Sequence, residues 1–311
     1  MNKKKIPGHS ALFVAYVIFG LNIPISRSII PETVDPFALT YFRIAGGSAL
    51  FWLLSLFVKK EKVSSGDLIM LFFASFFALI LNQTSFIVGL SMTTPVDASV
   101  IQTVLPVVSM FLAAFIQKEP VTWKKFIGVL IGLSGALLLI LNHAQAEDGN
   151  RNVLGNLLVL CSVVSFALYL TLFKNLILRY SPVTLMKWMF LFASVFCLPY
   201  SYKALAGVDY AGLSAADRIC IAFVVVMATF VSYLLIPIGQ KVLRPTTIGM
   251  YNYLQPVTAS MAGVVMGQAV FGFDNVLSAI LVFTGVYIVT TSKSRADMEG
   301  KTVPKNRVGG K

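Results

Sequence analysis

The sequence predicts an all-α polytopic membrane protein with ten transmembrane helices, arranged as two inverted five-helix repeats. Composition is the first reason, because 57% of the 311 residues are hydrophobic and 12% are charged, whereas soluble domains carry roughly a quarter charged residues. The second is that apolar runs of about 20 residues, the length that crosses a bilayer, recur along the whole chain. These runs are continuous rather than alternating in polarity, which disfavours a transmembrane β-barrel.

Short polar links join the predicted helices. The first helix follows the start MNKKK, which resembles the charged segment of a signal peptide. However, Asn22, Pro24 and Arg27 interrupt its apolar run and no small-residue cleavage site follows, so we interpret it as a membrane helix. The basic tail 293–311 is predicted to be disordered. In order, the apolar runs lie at 9–30, 37–58, 68–90, 95–116, 124–142, 154–174, 182–203, 217–238, 246–270 and 274–292.

Positive charge is distributed unevenly between the links. With a cytoplasmic N-terminus, 19 of the 25 Lys and Arg residues fall on cytoplasmic segments. This asymmetry follows the positive-inside rule and predicts that both termini are cytoplasmic. A basic face against anionic lipid explains the net charge of +12 without a nucleic-acid partner. The other six cations lie on outer links or within helices: Arg151, Lys203 and Arg218, then Arg27, Arg43 and Lys187.

A weak internal sequence repeat, which we call the sequence echo, divides the chain into two halves, 9–142 and 153–292. Five helices are an odd number, so two such halves must cross the membrane in opposite orientations. Secondary transporters are often built this way, with the substrate site near the midplane between the repeats. The echo appears at a shift of 150 residues, which aligns Gly89 with Gly239, Pro95 with Pro245, Gln102 with Asn252, Pro106 with Pro256, Val107 with Val257 and Gly135 with Gly285.

A family resemblance supports the same architecture. The stretch TPVDASVIQTVLPVVSMFLAAFIQKEPVTWKKFIGVLIGLSGALLLI at 94–140 resembles the EamA module of the drug/metabolite transporter superfamily, and YFRIAGG at 41–47 resembles its Arg-containing second helix. The resemblance spans about 10–292, although Gln268-Ala269 stands where the family has Glu. It implies a ten-helix, two-repeat exporter of small metabolites, commonly amino acids or related compounds. The motif positions are Pro106, Glu119, Gly128, Gly132 and Gly135.

Two prolines mark candidate breaks in the fourth and ninth helices. Pro106 and Pro256 each remove a helix hydrogen bond, and freed backbone groups at membrane depth are tolerated where they line a cavity. Gln102 and Asn252 lie one turn before them, and Gln255 is adjacent to the second. We expect the two bends to face each other across a central substrate cavity. The alternative is a pair of structural kinks with interhelical hydrogen bonds.

Few charged residues fall within the predicted helices. Counted from Pro36 and Pro182, Arg43 and Lys187 lie about 7–11 Å in from the outer end of pseudo-equivalent helices. Either could attract an anionic group of the cargo, but snorkelling or a structural role is the alternative. Asp97 fits a helix-capping position, and it is the leading candidate for proton coupling if protons drive transport.

Further polar and aromatic side chains complete the candidate site. Asn22, Asn82 and Gln83 interrupt the first and third helices, so we include them as substrate-binding candidates. Aromatic rings could stack on a planar cargo, although in membrane helices they are commonly core or interface residues. We expect the glycines Gly128 and Gly132 to pack helices internally. The aromatic candidates for substrate binding are Tyr169, Trp188, Tyr233 and Tyr251, and Tyr16 adds further aromatic surface.

Other functional classes are less compatible with the sequence. It contains no His-Glu-x-x-His or Gly-x-Ser-x-Gly motif and no metal-ligand or Walker-type spacing, so we expect no enzyme, no cofactor and no ATP-driven pump. A phosphorylated-metabolite or nucleotide-sugar exchanger would require several convergent cations. A receptor or scaffold remains an alternative. We expect a monomeric transporter in the bacterial inner membrane, with dimerisation also open and lipid and a small molecule as its partners.

Overall fold

The computed structural model of the chain describes residues 6–93, 98, 101–143, 153–265 and 273–292. These residues form helices and connecting turns, with no β-strand among them, which confirms the all-α class. The helices are α1 Ile6–Arg27, α2 Pro36–Ser55, α3 Ser65–Met92, α4 Leu105–Ile116, α5 Trp123–His143, α6 Val153–Leu172, the short α7 Lys174–Arg179, α8 Pro182–Ala206, α9 Ala215–Gln240, α10 at 245–265 and α11 Phe273–Thr290.

Six of these helices are long and apolar enough to cross a membrane, namely α1, α2, α3, α6, α8 and α9. A chain with this many spans is polytopic. The crossing of all ten predicted segments and the orientation of the termini stay predictions. The first five residues and the tail from 293 lie outside the described residues.

Helices α3 and α9 begin with the same local chemistry. Ser64 accepts a hydrogen bond from the backbone N–H of Asp67 at the start of α3, at 3.2 Å. Ser214 accepts one from the N–H of Asp217 at 3.1 Å. The Asp217 carboxylate in turn accepts a hydrogen bond from the Ser214 N–H, which completes a capping box. Such caps satisfy amide groups that have no partner within the helix. The two serines are 150 residues apart, which is the shift of the sequence echo.

The same two helices each contain one π-helical turn, at Phe76–Leu81 in α3 and at Val226–Val231 in α9. These turns are also 150 residues apart. In α9 the wider turn lets the Thr229 hydroxyl donate to the Val224 carbonyl at 2.8 Å, five residues back. Single π turns inside α-helices are frequent at functional sites. Gln83 in α3 and Tyr233 in α9 each lie two residues after the π turn of their helix.

Helices α4 and α10 are interrupted just before their prolines. A turn at Thr103 and Val104 precedes α4, so Pro106 occupies the first turn of the helix. In α10, Pro245–Met250 is α-helical, Tyr251–Tyr253 is a 3-10 turn, and Leu254–Val265 resumes the α-helix with Pro256 in its first turn. Proline is well accommodated there because its missing N–H would have no helical acceptor. The predicted breaks are present, but each lies before its proline rather than at it.

Glycines allow α5 and α11 to pack closely. A Cβ on Gly285 would lie 2.6 Å from the backbone nitrogen of Gly132 and 2.7 Å from the carbonyl oxygen of Gly128. Only glycine permits so close a backbone approach. As expected from the sequence, Gly128 and Gly132 pack internally.

Ion pairs tie the halves together at the face predicted to be cytoplasmic. Arg179 of α7 donates to both carboxylate oxygens of Asp67 at 2.6 and 2.7 Å, and the Tyr180 hydroxyl donates to Asp67 at 2.6 Å. We call Asp67, Arg179 and Tyr180 the inner latch. The motif residue Glu119 lies 3.0 Å from Lys125 and 3.7 Å from Lys174.

Candidate functional site

A polar pocket lies among α1, α2, α3, α4, α6, α9 and α10. The pocket and its open mouth together span about 580 Å³ of space between atoms. Six amide side chains, one arginine and two tyrosines carry its polar groups, and three phenylalanines, a leucine and a valine complete the lining. The lining residues are Asn22, Asn82, Gln83, Gln102, Asn252 and Gln255, then Arg43, then Tyr16, Phe19, Phe86, Phe166 and Tyr233, with Leu105 and Val163.

The two helix breaks meet directly at this pocket. Pro106 has no N–H, so the carbonyl of Gln102, four residues earlier, has no helical donor. The side-chain amide of Asn252 donates to that carbonyl at 2.7 Å and lies 3.3 Å from the Gln102 side-chain oxygen. Gln255 in turn donates to Asn252 at 2.6 Å. The breaks therefore contact each other at one wall instead of facing each other across open space.

A second set of amides joins the first half to α6. The Asn82 amide donates to the Ser162 carbonyl at 2.8 Å, and Gln102 makes a long contact of 3.5 Å with the Ser162 hydroxyl. That hydroxyl also donates to the Val159 carbonyl at 2.7 Å. Because buried polar groups are costly when unpaired, these bonds hold the amides in fixed orientations around the pocket.

Arg43 is almost fully buried, with 3% of its surface exposed. Its Nε donates to the hydroxyl of Thr229 at 3.1 Å, and Thr229 lies in the π turn of α9. Within the described part of the chain, no carboxylate lies within 4.0 Å of the guanidinium. The pocket wall thus contains a buried positive charge held by a neutral hydroxyl.

Two further polar side chains at the wall make no hydrogen bond of ordinary geometry to the described residues. The Tyr16 hydroxyl is buried and makes no hydrogen bond to any described residue. Gln83 lies beside the Tyr233 hydroxyl, yet neither polar atom of its side chain reaches hydrogen-bond geometry with the described residues. Both groups are available to a ligand.

Lining residues recur at the spacing of the sequence echo. Four pairs of residues that line the pocket are separated by 150 positions, one member from each half of the chain. A two-fold relation between the halves would produce this pattern if its axis passed through the pocket. The pairs are Tyr16 with Phe166, Gln83 with Tyr233, Gln102 with Asn252, and Leu105 with Gln255.

Eight of the twelve residues predicted to bind substrate line the pocket, and four do not. Tyr169 donates to Gln240 at 3.3 Å, away from the lining. The Tyr251 hydroxyl lies 2.6 Å from His9 Nδ1, and the Tyr251 ring packs on Tyr16. Tyr251 therefore lies behind the pocket wall rather than in it.

Lys187 and Trp188 lie elsewhere on α8. The Lys187 ammonium stands 5.0 Å from the ring centre of Trp52 and 6.0 Å from that of Trp188. At a rise of 1.5 Å per residue, Trp52 lies about 13 Å further along α2 than Arg43. Lys187, which contacts Trp52, is therefore far from Arg43 along the helix axis. The expectation that Lys187 and Arg43 share one depth was wrong. In oppositely oriented repeats, Pro182 and Pro36 start helices at opposite faces.

Several lining residues were not predicted from the sequence. Phe19, Phe86 and Phe166 are ordinary apolar residues of membrane helices, and composition does not distinguish them from core residues. Applying the 150-residue shift to Tyr16 would have identified Phe166. Asp97, the proton-coupling candidate, lies outside the described residues. Within the described ranges, no group of three or more His, Cys, Asp or Glu side chains could hold a metal ion.

Comparisons with known proteins agree with this architecture. The chain is 22% identical to the uncharacterized transporter YetK of Bacillus subtilis over 95% of this chain and 90% of that one. It is 24% identical to a WAT1-related protein of Arabidopsis thaliana, over 93% and 88% of the two chains. An S-adenosylmethionine uptake transporter of Rickettsia bellii is 20% identical over 70% and 71%.

A solved crystal structure shares the fold, with a TM-score of 0.73 at 17% identity over 92% of this chain and 98% of the other. The sequence model of the EamA-like transporter family matches residues 6–141 and again residues 153–291. These two matches cover almost the whole chain, and they agree with the family resemblance of the motifs. The chain belongs to the EamA-like transporter family and is an integral membrane protein.

Proposed function

We propose that this protein is a secondary transporter that exports small organic metabolites, with amino acids as the first class to test. The cargo binds in the polar pocket, and transport proceeds by alternating access between two inverted five-helix halves, 9–142 and 153–292. One observation carries the proposal. The pocket is lined by both halves at the point where their broken helices meet, and its lining residues pair at a spacing of 150.

Local geometry supports a repeat relation between the halves, and the odd number of helices predicted in each half makes that repeat inverted. The capping serines of α3 and α9 and the π turns of the same helices recur at that spacing. The break before α4 and the one within α10 recur within two residues of it. In transporters built from inverted repeats, substrate sites form at discontinuous helices near the midplane. Rocking one half against the other would open the pocket to each side in turn.

Energy for export would come from a gradient, since the sequence contains no Walker-type ATP-binding loop. We place the protein in the bacterial inner membrane, with the Lys- and Arg-rich face in the cytoplasm. Asp97 is retained as the residue to test first if transport responds to a proton gradient. A phosphorylated or nucleotide-sugar cargo is disfavoured because Arg43 is the single cation among the described lining residues.

S-adenosylmethionine is a second candidate cargo, because relatives from two Rickettsia species are named uptake transporters for it. It is itself an amino-acid derivative. It therefore belongs in the same panel of compounds as the amino acids.

Transport by the purified protein in proteoliposomes tests the proposal. Labelled amino acids, S-adenosylmethionine, nucleosides and sugar phosphates are supplied with and without an imposed proton gradient. We expect saturable movement of one class, and loss of at least tenfold in rate when Gln102 and Asn252 are both replaced by Ala. Asn175→Ala, which removes an exposed amide of α7, serves as the control. Normal transport by a well-folded double variant would disprove the site, and no transport of any compound by the folded wild type would contradict the function.

A further inference from the structure

Arg43 is positioned to bind a ligand rather than only to hold the fold. Its Nε is occupied by Thr229, but its two terminal nitrogens make no hydrogen bond to any described residue. A guanidinium presents several donors in a planar fork that matches a carboxylate. A buried charge without a paired opposite charge is unfavourable. In the described part of the chain the guanidinium has no such pair, so an anionic ligand would supply what the protein does not.

Other hydrogen-bond donors line the same pocket. Tyr16, Gln83 and Tyr233 line the same pocket as Arg43, and Gln83 lies beside the Tyr233 hydroxyl. Among the described residues, the hydroxyl of Tyr16 and the side-chain amide of Gln83 make no hydrogen bond of ordinary geometry. All four side chains can donate hydrogen bonds, and no described lining residue carries a negative charge. The chemistry of this end of the pocket is that of an anion site.

The rest of the pocket indicates the charge and the apolar character of the anion. Phe19, Phe86 and Phe166 form apolar walls on α1, α3 and α6. A phosphate ester with two negative charges would favour several cations, and the described lining has one. A monoanion with an apolar body fits both parts of the pocket.

We propose, on the basis of the proposed function, that the cargo is held by a carboxylate. Arg43 and Tyr233 bind the carboxylate, with Tyr16 and Gln83 as further donors, and the apolar body of the cargo packs against the phenylalanine walls. An amino group on the cargo is not required for binding. The recognised class is therefore small monocarboxylates, of which amino acids are one subset.

Matched compounds that share a phenyl ring separate the charges. Phenylalanine, 3-phenylpropionate, phenethylamine and phenyl phosphate are tested for binding to the purified full chain in detergent, and then for transport in proteoliposomes. We expect both carboxylates to bind, and phenethylamine and phenyl phosphate to bind at least tenfold more weakly. Arg43→Gln should weaken binding of 3-phenylpropionate roughly ten- to hundredfold, because hydrogen bonds to charged groups are strong.

Two variants control for misfolding. Tyr233→Phe removes one hydroxyl and should weaken carboxylate binding severalfold without changing the unfolding midpoint. Arg27→Gln removes an arginine outside the pocket, 3.8 Å from Glu32, and should leave binding unchanged.

The outcomes separate this inference from the proposed function. Equal or tighter binding of phenethylamine, unchanged binding by folded Arg43→Gln, or no binding of either carboxylate would overturn the carboxylate site. If a non-acidic cargo is nevertheless transported, the transporter function stands and only this inference fails. Carboxylate binding without transport of any compound would leave the site intact and contradict the transporter function.

Discussion

At the residue scale, the central contact is the bond from the Asn252 amide to the Gln102 carbonyl, at 2.7 Å. The sequence places both residues one turn before a proline, and the helical geometry of proline explains why the Gln102 carbonyl needs an outside donor. This much could be predicted. The direct bond between the two breaks could not, because spacing along a chain does not give the rotation and separation of two helices.

Glu61, at the face predicted to be cytoplasmic, gives a test by pH. Its carboxylate accepts hydrogen bonds from the amide and hydroxyl of Ser181, at 3.0 and 2.8 Å. Burial alone would raise the pKa of Glu61, but hydrogen bonds from Thr184 and Ser181 outweigh it and hold the pKa below the ordinary value of 4.5. Because the folded pKa is lowered, the stabilisation is complete above the ordinary value and is lost as pH falls through the folded pKa.

We therefore expect Glu61→Gln to lower the unfolding midpoint in detergent at pH 7, and the difference from the wild type to vanish at acidic pH below the folded pKa. Glu32→Gln, at an exposed carboxylate near Arg27, is the control and should show a smaller difference at pH 7. A Glu61→Gln difference that grows toward acidic pH would contradict this explanation.

At the scale of the helices, the apolar runs predict where each element lies, because a bilayer-spanning helix needs a fixed length of apolar chain. The π turns at Phe76–Leu81 and Val226–Val231 have no such signal, since their residues are ordinary for membrane helices. The same is true of the turn at Thr103 and Val104, which lies before its proline. Local irregularities depend on which neighbouring groups replace the lost helical bonds, and those neighbours come from distant parts of the chain.

The crossing of α1 and α10 at Gly20 gives a test at this scale. A Cβ on Gly20 would lie 2.8 Å from the Gln255 carbonyl oxygen and 3.1 Å from the Gln255 Cα. The added methyl group would meet the backbone of Gln255, a residue that lines the pocket. Because this backbone cannot move aside as a flexible side chain can, Gly20→Ala should separate the two helices. We expect a loss of about 1–3 kcal/mol in unfolding free energy and a clear loss of transport. Gly66→Ala, where no atom lies within 4 Å, should have little effect on either, and equal behaviour of the two variants would refute the close contact.

At the scale of the whole molecule, the two faces differ in a way that the repeats alone do not predict. The inner latch holds Asp67 to Arg179 and Tyr180. Its counterpart at a spacing of 150, Asp217, pairs with its own cap Ser214. Under alternating access, we expect this latch to open when the pocket is exposed to the face predicted to be cytoplasmic. The sequence predicts the inverted halves, but it does not indicate that Asp67 pairs across the halves while Asp217 pairs with its own cap.

The most direct test of this account is labelling of a cysteine in the pocket from each side of the membrane. Val163→Cys is placed in a chain without the three native cysteines, all of which are free thiols in the structure. The thiol is treated with a membrane-impermeant maleimide in vesicles of each orientation. We expect labelling from both sides, more labelling from the cytoplasmic side in Asp67→Asn, and no such change in Asp217→Asn. Labelling from one side only, unchanged by Asp67→Asn in a chain that still transports, would contradict alternating access through this pocket.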